Sequence, residues 1–432
     1  MGSVKQPCSI AIIGAGIGGI ALAIGLLKQD VECTIYEAAT KFDAVGAGIG
    51  LGPNALKAME LMDEKFAKLY DEIKVGNTSP ERVHEQIEIL GAEEGFGITD
   101  GWKGGSVGHP KFTRSSAHRK ALLEVMKSLI PEGTVKFNKR VLSVDQSSER
   151  HVLLKFEDGE SVSVDAVVGC DGIKGVSRRW VLEQRFPEEV PAKYCNEYVY
   201  RGMTSMENAK NIIGTYAEDA RWFMKDSAGW AMYPISGGTE VNIVAFIQDE
   251  QPWKGEQAVR EVTREDMELE FEGFDHRLRG LLQYVKPAKW PLFNHPDTPT
   301  YFNGRIAILG DSAHASSPSQ AAGAGQGLED ALILSRLFGL LESPDQVEKV
   351  FEIYDSVRRP RAQRIVRESL DVGIAYFLRD KRFGRNLQKI TVDANERLPG
   401  IWWHDLEGDV KRAEAMFFNV KDDGVDELRG NK

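Results

Sequence analysis

The sequence feature that most constrains the fold is a glycine-rich turn between an apolar strand and a helix near the start of the chain. Residues 9–13 are apolar and β-branched, which predicts a buried strand. They lead directly into Gly14-x-Gly16-x-x-Gly19, and an apolar helical segment follows. A second strand then ends at Glu37. This order predicts a βαβ unit of a parallel sheet.

The same residues predict a dinucleotide site. Glycines at these positions permit a tight turn and let a pyrophosphate approach the helix N-terminus closely. Glu37 can hydrogen-bond two ribose hydroxyls and would repel a 2′-phosphate, which favours FAD or NAD over NADP. The alternative is a glycine turn that only packs the helix against the sheet. This alternative does not account for the strand, the helix and the carboxylate occurring together.

Composition excludes several other classes of protein. The chain has 432 residues, of which 42% are apolar and 28% charged, as in an ordinary globular protein of two or three domains. Its net charge of −11 argues against broad binding to nucleic acid or to an anionic membrane. The four cysteines form no C-x-x-C pair and the eight histidines show no metal-binding spacing, so we predict no metal site. Without a signal peptide or an apolar run of about 18 residues, we expect a cytoplasmic protein with no membrane span.

Glycine is unusually frequent, at 43 of 432 residues. A second run, Gly46-x-Gly48-x-Gly50-x-Gly52, could lie against a planar ligand, although alone it is more typical of a flexible loop. Two further predicted strands end on an aspartate, at Asp171 and Asp311, and Gly323-Ala324-Gly325 begins a helix. Such an Asp can bind a sugar-like chain beside an anion-binding helix start, or it can simply cap a turn.

In this order the motifs resemble those of the single-component FAD-dependent aromatic hydroxylases, the family with the p-hydroxybenzoate hydroxylase fold. The resemblance covers nearly the whole chain, from Gly14 to Glu329-Asp330. Within the family, the chain is most similar to salicylate hydroxylases and to fungal phenol-dearomatising hydroxylases. The residues that indicate this are Gly46-Ala47-Gly48-Ile49-Gly50, His118-Arg119, Trp402-x-His404-Asp405 and Gly323-Ala324-Gly325, the last being closer to the dearomatising branch.

The resemblance implies an α/β fold in which a Rossmann-like FAD-binding domain is interleaved with an antiparallel-sheet substrate domain, and a helical C-terminal segment follows. The implied FAD-binding domain comprises residues 1–75, 110–180 and 301–365. The implied substrate domain comprises residues 76–109 and 181–300, and the C-terminal segment comprises residues 366–432. That segment would cover the pocket or form a homodimer contact.

The resemblance also implies the residues that bind the cofactor. Arg119 is expected at the FAD phosphates or ribityl chain, Asp311 at the ribityl chain, and Asp171 in a motif associated with both FAD and NAD(P)H. The backbone from Gly323 onward is expected near the isoalloxazine ring. The full expected set is Gly14, Gly16, Gly19, Glu37, Gly50, Arg119, Asp171, Asp311, Gly323, Ala324 and Gly325.

Arg201 and Tyr233 are the expected catalytic residues, from their place in the family pattern. An Arg facing a pocket can hold a carboxylate or phenolate and lower the pKa of a phenol, and a buried Tyr can orient a phenol oxygen. The alternatives are a cross-strand ion-pair partner for Arg201 and a plain core position for Tyr233.

The implied activity is an FAD-dependent monooxygenase that uses NADH or NADPH and O₂ to hydroxylate a small phenol through a C4a-hydroperoxyflavin. Salicylate-type ortho-hydroxylation, with or without loss of carbon dioxide, is favoured. Dearomatisation of an alkylated polyketide phenol is the alternative. A NAD-linked dehydrogenase or a non-oxygenase FAD protein is the alternative from a different class, although no Tyr-x-x-x-Lys relay is suitably placed.

Two other groups of residues receive structural interpretations. His314 follows Gly310-Asp311, and we expect it to make a local hydrogen bond. A basic run near the C-terminal third is expected to form a solvated helix face partly paired with Glu368 and Asp371. Its members are Arg358, Arg359, Arg361, Arg364 and Arg367.

Overall fold

The computed structural model describes residues 8–42, 48–100, 105–148, 150–253 and 259–419. Gly46 and Ala47, on which the resemblance partly rests, lie outside the described residues. The strands are β1 (Ile10–Ile13), β2 (Cys33–Tyr36), β3 (Gly48–Gly50), β4 (Glu85–Gly91), β5 (Gly105–Gly108), β6 (Ser116–His118), β7 (Val135–Lys136), β8 (Val141–Asp145), β9 (Val152–Phe156), β10 (Ser161–Val164), β11 (Ala166–Gly169), β12 (Lys193–Ser205), β13 (Arg221–Lys225), β14 (Ala228–Ile235), β15 (Glu240–Gln248), β16 (Arg260–Glu261), β17 (Ala288–Asn294), β18 (Phe302–Asn303) and β19 (Ile306–Ile308).

The helices complete the element order. They are α1 (Ile17–Lys28), α2 (Pro53–Met62), α3 (Glu64–Asp71), α4 (Arg119–Lys127), α5 (Ser177–Leu182), α6 (Met206–Ile213), α7 (Arg264–Glu270), α8 (His276–Leu281), α9 (Asp311–His314), α10 (Gly323–Gly339), α11 (Val347–Tyr376), α12 (Leu387–Trp402) and α13 (Leu406–Phe418). None of these helices is both long enough and apolar enough to cross a bilayer.

The first sheet contains the predicted βαβ unit. Its strand order is β18-β19-β11-β1-β2-β7, and all neighbours are parallel except the edge strand β18. Every residue of β1, β11 and β19 is buried, because a parallel sheet is covered on both faces. The predicted strands before Gly14, before Asp171 and before Asp311 are therefore confirmed as neighbours in one sheet.

The second sheet is mostly antiparallel, as expected for the substrate domain. Its order is β16-β17-β12-β15-β14-β13-β4-β5, with β13 and β4 the parallel pair. Alternate residues serve opposite faces. On one face Tyr200 and Trp230 belong to a core that includes residues of α6, α7 and α8. On the other face Val199 and Phe246 pack with residues of α11 and α12.

Two smaller sheets complete the strand pairing. In one of them β9 and β10 form an antiparallel hairpin, and β8 joins them. Glycine strand β3 pairs with β6, which places Gly50 opposite Ser116 and brings the second glycine run next to the start of α4.

The chain passes between the two main sheets more than once. Residues 10–36, 135–136, 166–169 and 302–308 supply the first sheet, whereas residues 85–108 and 193–294 supply the second. The interleaved α/β fold with a helical C-terminal region is confirmed. The domain boundaries expected above remain a prediction.

The interpretation of the basic run as a solvated face is wrong for two of its members. Arg358 is completely buried and donates to Glu329 (2.6 Å) and Asp330 (2.8 Å), while Arg361 donates to Glu329 (2.7 Å). His314 bonds Asp330 at 2.5 Å, which agrees with its expected local role. Burial would raise the pKa of Glu329, but the two arginines outweigh it and hold the pKa at about 2. These side chains tie α10 to α9 and α11.

Arg364 and Arg367 do lie on the exposed side of α11. Their side chains are more than half exposed and pair with Glu368 and Asp297 respectively. Arg359 pairs with Asp355 one turn away. Helical spacing alone does not reveal which of these arginines faces the core, because that depends on what packs against the helix.

We predict that Arg358→Ala lowers the free energy of unfolding by about 3–5 kcal/mol, because Glu329 and Asp330 lose a buried partner. Arg364→Ala is the matched control on the same helix, and its exposed pair should contribute less than about 1 kcal/mol. Denaturant unfolding of both FAD-saturated variants measures the difference. Equal losses in the two would contradict a structural role for the buried ion pairs.

Candidate active site

A cavity of about 610 Å³ lies between the first sheet and one face of the second sheet. Its walls come from the first glycine turn, β3, the loop before α10, strands β12 to β15 and helices α11 and α12. The cavity is within the usual size range of a cofactor or small-molecule site.

Three helices begin beside the cavity without a side-chain cap. The N-cap residues of α1, α2 and α10 are Gly16, Gly52 and Ala322, and none makes a capping side-chain hydrogen bond. The cavity is lined at these places by Gly16, Gly50 and Ala322. At α1 and α10 the N–H groups of the first turn and the helix dipoles favour phosphates or other electron-rich groups, whereas α2 begins with Pro53, which has no N–H.

Gly14 and Gly19 form the turn itself and do not line the cavity. Gly14 has φ +102°, and a Cβ on Gly19 would lie 2.1 Å from the Gly14 carbonyl oxygen, so both positions require glycine. At Gly16, by contrast, a Cβ would meet nothing within 4 Å. The turn therefore leaves Gly16 facing open space at the cavity.

Glu37 lies next to the turn at the end of β2. Its Oε2 accepts from the Ala15 N–H at 2.7 Å and its Oε1 accepts from the Ala39 N–H at 2.8 Å. The carboxylate does not line the cavity. Its position beside the glycine turn is the one expected of a ribose-binding residue, and that role stays a prediction.

Arg119 and Asp311 both line the cavity. Arg119 is the first residue of α4, and its Nε is buried without a hydrogen-bond partner in the part of the chain that the structure describes. Asp311 is the exposed first residue of α9. A cation and a carboxylate thus face the same space, as the binding of a diphosphate and a polyol chain would require.

Two expected residues, Asp171 and Gly325, are less directly placed. Asp171 accepts from the Ser177 N–H at 2.9 Å and from its hydroxyl, so its carboxylate faces the start of α5 while Cys170 and Gly172 line the cavity. Burial raises the pKa of Asp171, although Ser177 opposes this. Gly323 and Ala324 line the cavity, whereas Gly325 faces Asn54 instead.

Arg201 and Tyr233, the expected catalytic residues, lie on the cavity face of the second sheet. The Arg201 guanidinium lies 5.2 Å from the centre of the Trp290 ring. Burial and the nearby Arg119 lower its pKa. Burial raises the pKa of Tyr233 while Arg114 and Arg201 oppose this, so the Tyr233 hydroxyl keeps its proton at neutral pH.

Arg114 is a third cavity-lining arginine, and sequence reasoning missed it. Its guanidinium lies 5.0 Å from the centre of the Tyr233 ring and donates to the Gln86 carbonyl. Burial lowers its pKa to about 10, which still leaves it charged at neutral pH. Within the described residues, Arg114, Arg119 and Arg201 form no ion pair with a carboxylate. A lone Arg in a loop carries no periodic signal that could have identified it.

The C-terminal helices cover the apolar side of the cavity. Val372 and Tyr376 of α11 and Ala394 and Leu398 of α12 line it opposite the sheet. Tyr376 packs against Trp222 with ring centres 5.1 Å apart. Of the two roles expected for this segment, the structure therefore shows the covering role.

Comparison with known proteins agrees with this geometry. The chain matches the FAD binding domain family over residues 7–369. It is 38% identical to an FAD-dependent monooxygenase of Gibberella moniliformis, over 95% of this chain and 97% of that protein. It is 33% identical to a 6-methylsalicylate 1-monooxygenase of Aspergillus terreus (95% and 93%) and 32% identical to a salicylate hydroxylase of Pseudomonas putida (95% and 96%). A solved salicylate hydroxylase substrate complex matches with a TM-score of 0.82 at 28% identity, over 94% and 98% of the two chains.

The βαβ turn, the uncapped helix starts and the covered cavity define a flavin-dependent enzyme. The chain belongs to the FAD binding domain family and is an FAD-dependent oxidoreductase. The expected cofactor is thereby confirmed. The residues fit it, since there is open space at Gly16, and within the described part of the chain the buried Nε of Arg119 has no hydrogen-bond partner, so it can donate to a bound phosphate.

We predict that Gly16→Ala weakens FAD binding at least about tenfold, because the added methyl occupies the space through which the cofactor approaches the backbone. The apoprotein should stay as stable as wild type, since Gly16 has ordinary extended angles and a Cβ there meets no atom. Flavin fluorescence titration measures the affinity.

Gly19→Ala is the matched comparison for this prediction. Its Cβ collides with the Gly14 carbonyl, so the apoprotein itself should lose stability. Wild-type FAD affinity in Gly16→Ala would show that the cofactor does not approach this turn.

Proposed function

We propose that the protein is a salicylate hydroxylase-like monooxygenase that uses NADH or NADPH and O₂ to hydroxylate a small phenol with an anionic substituent. The observation that carries the proposal is the pair of cavity-lining arginines, Arg114 and Arg201, which form no ion pair within the described residues. The names of the similar salicylate and 6-methylsalicylate enzymes point the same way.

Buried arginines without carboxylate partners favour an anionic ligand. Taking a guanidinium out of water costs several kcal/mol unless an anion or strong acceptors replace the water. Among the described residues, Arg114 has only a backbone carbonyl as hydrogen-bond acceptor, and the Arg201 guanidinium lies near the Trp290 ring. A carboxylate or phenolate would provide the missing charge through charge-assisted hydrogen bonds.

The bound phenol becomes a better nucleophile when it loses its proton. A cation close to the phenol oxygen lowers the phenol pKa, and Arg201 and Arg114 can supply this charge. Tyr233 keeps its own proton and can donate a hydrogen bond to the phenolate. When bound, FAD accepts electrons from NAD(P)H and activates O₂.

The walls of the cavity would exclude water and orient the ring. Val199, Trp222, Ala231 and Phe246 provide an apolar surface on the sheet side, and α11 and α12 close the opposite side. A site without water strengthens the interactions between the arginines and the anion. It also prevents reactive oxygen species from being lost in side reactions with water.

Dearomatisation of an alkylated phenol is the second candidate. It is favoured by the glycine-rich Gly323-Ala324-Gly325 start of α10. The two reactions differ only in what is attached to the attacked carbon. A hydrogen or carboxylate leaves and aromaticity returns, whereas an alkyl group stays and a dienone remains.

The test combines NADH or NADPH oxidation with the mass of the product. Purified protein should be yellow, and its nicotinamide oxidation should accelerate with salicylate, methylsalicylates or orcinol-type aldehydes. Loss of carbon dioxide with gain of one oxygen marks salicylate chemistry, and gain of oxygen alone with loss of ring absorbance marks dearomatisation. If no phenol changes the rate of NADH or NADPH oxidation, a dehydrogenase or a non-oxygenase flavoprotein is favoured instead.

We predict that Arg201→Ala lowers kcat/KM for the phenol by roughly tenfold to a hundredfold, as expected for loss of a charged hydrogen bond. Bound FAD should stay at wild-type level, measured by absorbance. Arg179→Ala, an exposed arginine paired with Glu183, is the matched control and should leave both quantities unchanged. Loss of FAD in Arg201→Ala would reassign the residue to the cofactor.

A further inference from the structure

A buried carboxyl group outside the arginine cluster is connected to the cavity by two serine hydroxyls. The Ser317 hydroxyl donates to Glu197 Oε1 at 2.9 Å, and the Ser317 and Ser319 hydroxyl oxygens are 2.7 Å apart. Because Ser317 donates its proton to Glu197, Ser319 donates to Ser317. Ser319 lines the cavity, whereas Glu197 and Ser317 are buried behind it.

An irregularity in β12 immediately precedes Glu197. The pairing of β12 with β17 shifts register between Tyr194 and Tyr198, and Asn196 has a φ of +56°. Glu197 itself is paired with Gln248 of β15, and regular alternation places it on the same face of the sheet as Arg201. Its carboxyl group contacts the loop before α10.

Among the described residues, no cationic side chain forms an ion pair with Glu197. Tyr194 and Cys195 on its own strand are titratable groups that interact with its charge, and the neighbouring strand β15 presents the neutral Gln248. Burial raises the pKa of Glu197 to about 7, and the Ser317 hydroxyl lowers it only in part. Glu197 can therefore gain or lose a proton near neutral pH.

We propose that Glu197, through Ser317 and Ser319, is the internal base that takes up the phenol proton. The inference rests on the proposed function, since it names the group that accepts the proton lost by the phenol. Ser319 accepts the phenol proton and passes its own to Ser317, which passes its own to the Glu197 carboxylate. One O–H bond breaks and one forms at each serine, so the phenol ends as phenolate and Glu197 as a neutral acid.

This relay is complementary to the arginines. Arg114 and Arg201 stabilise the phenolate but cannot accept a proton, because they are already protonated. The relay keeps the proton inside the protein, where water is excluded, and leaves the cationic surface of the cavity free to hold the anion.

The first experiment follows Glu197 itself in the oxidised, FAD-loaded protein without nicotinamide. Infrared difference spectra from about pH 5 to about pH 9 should show a buried carboxyl band that disappears with a midpoint near 7. The Glu197→Gln variant should lack this band and keep its FAD. A spectrum in which no Glu197-dependent band titrates in this range would overturn the proposal, whatever the outcome of the phenol panel.

The second experiment follows proton transfer without turnover. Stopped-flow mixing with 2-hydroxy-5-nitrobenzoate, whose phenolate absorbs visible light, measures the rate of phenolate formation. In wild type the rate should fall as pH drops below about 7, because Glu197 then already carries a proton. Glu197→Gln and Ser319→Ala should slow it about a hundredfold and remove this pH dependence.

Two further variants separate the relay from a structural effect. Ser319→Thr retains the hydroxyl and should retain the rate, whereas Ser356→Ala removes a hydroxyl that bonds only within α11 and α13 and should change nothing. A wild-type rate and pH profile in Ser319→Ala would overturn the relay. Failure of every phenol to stimulate wild-type nicotinamide oxidation would instead overturn the proposed function.

Discussion

The start of helix α10 at the cavity depends on ion pairs that are buried behind it. Glu329 and Asp330 of α10 are held by Arg358 and Arg361 of α11 and by His314 of α9. Because a buried charge without a partner costs several kcal/mol, α10 cannot slide or rotate relative to its neighbours. The backbone N–H groups at its first turn are therefore positioned by side chains that do not touch the cavity.

Strand β12 contributes side chains to both faces of the second sheet. Arg201 points to the cavity, and Tyr200, its neighbour, points to the core on the opposite face. Regular alternation explains both directions. Glu197 lies four residues before Arg201 on the same face, where it reaches Ser317 behind the cavity. The arginine and the carboxyl group come from one strand but remain separated, so neither neutralises the other.

The parts of the fold that follow from short-range patterns could be predicted from the sequence. The run before Gly14 and the carboxylate at Glu37 specify a local unit, and the structure contains that unit. Arg358 and Arg361 could not be assigned correctly, because their partners Glu329 and Asp330 lie about thirty positions away and only packing brings them together. The position of a motif also leaves side-chain direction open, as Asp171 shows by bonding Ser177.

Arg114 illustrates a further limit, since a site can differ in charge from the chain that contains it. The net charge of −11 creates a field that repels anions at a distance, and salt screens this field over about 8 Å. Arg114 is buried and sits in a medium of lower polarity, where its attraction for an anion is much stronger than in water. Anion binding at the cavity is then decided by short-range contacts, and the overall charge of the protein contributes little to it.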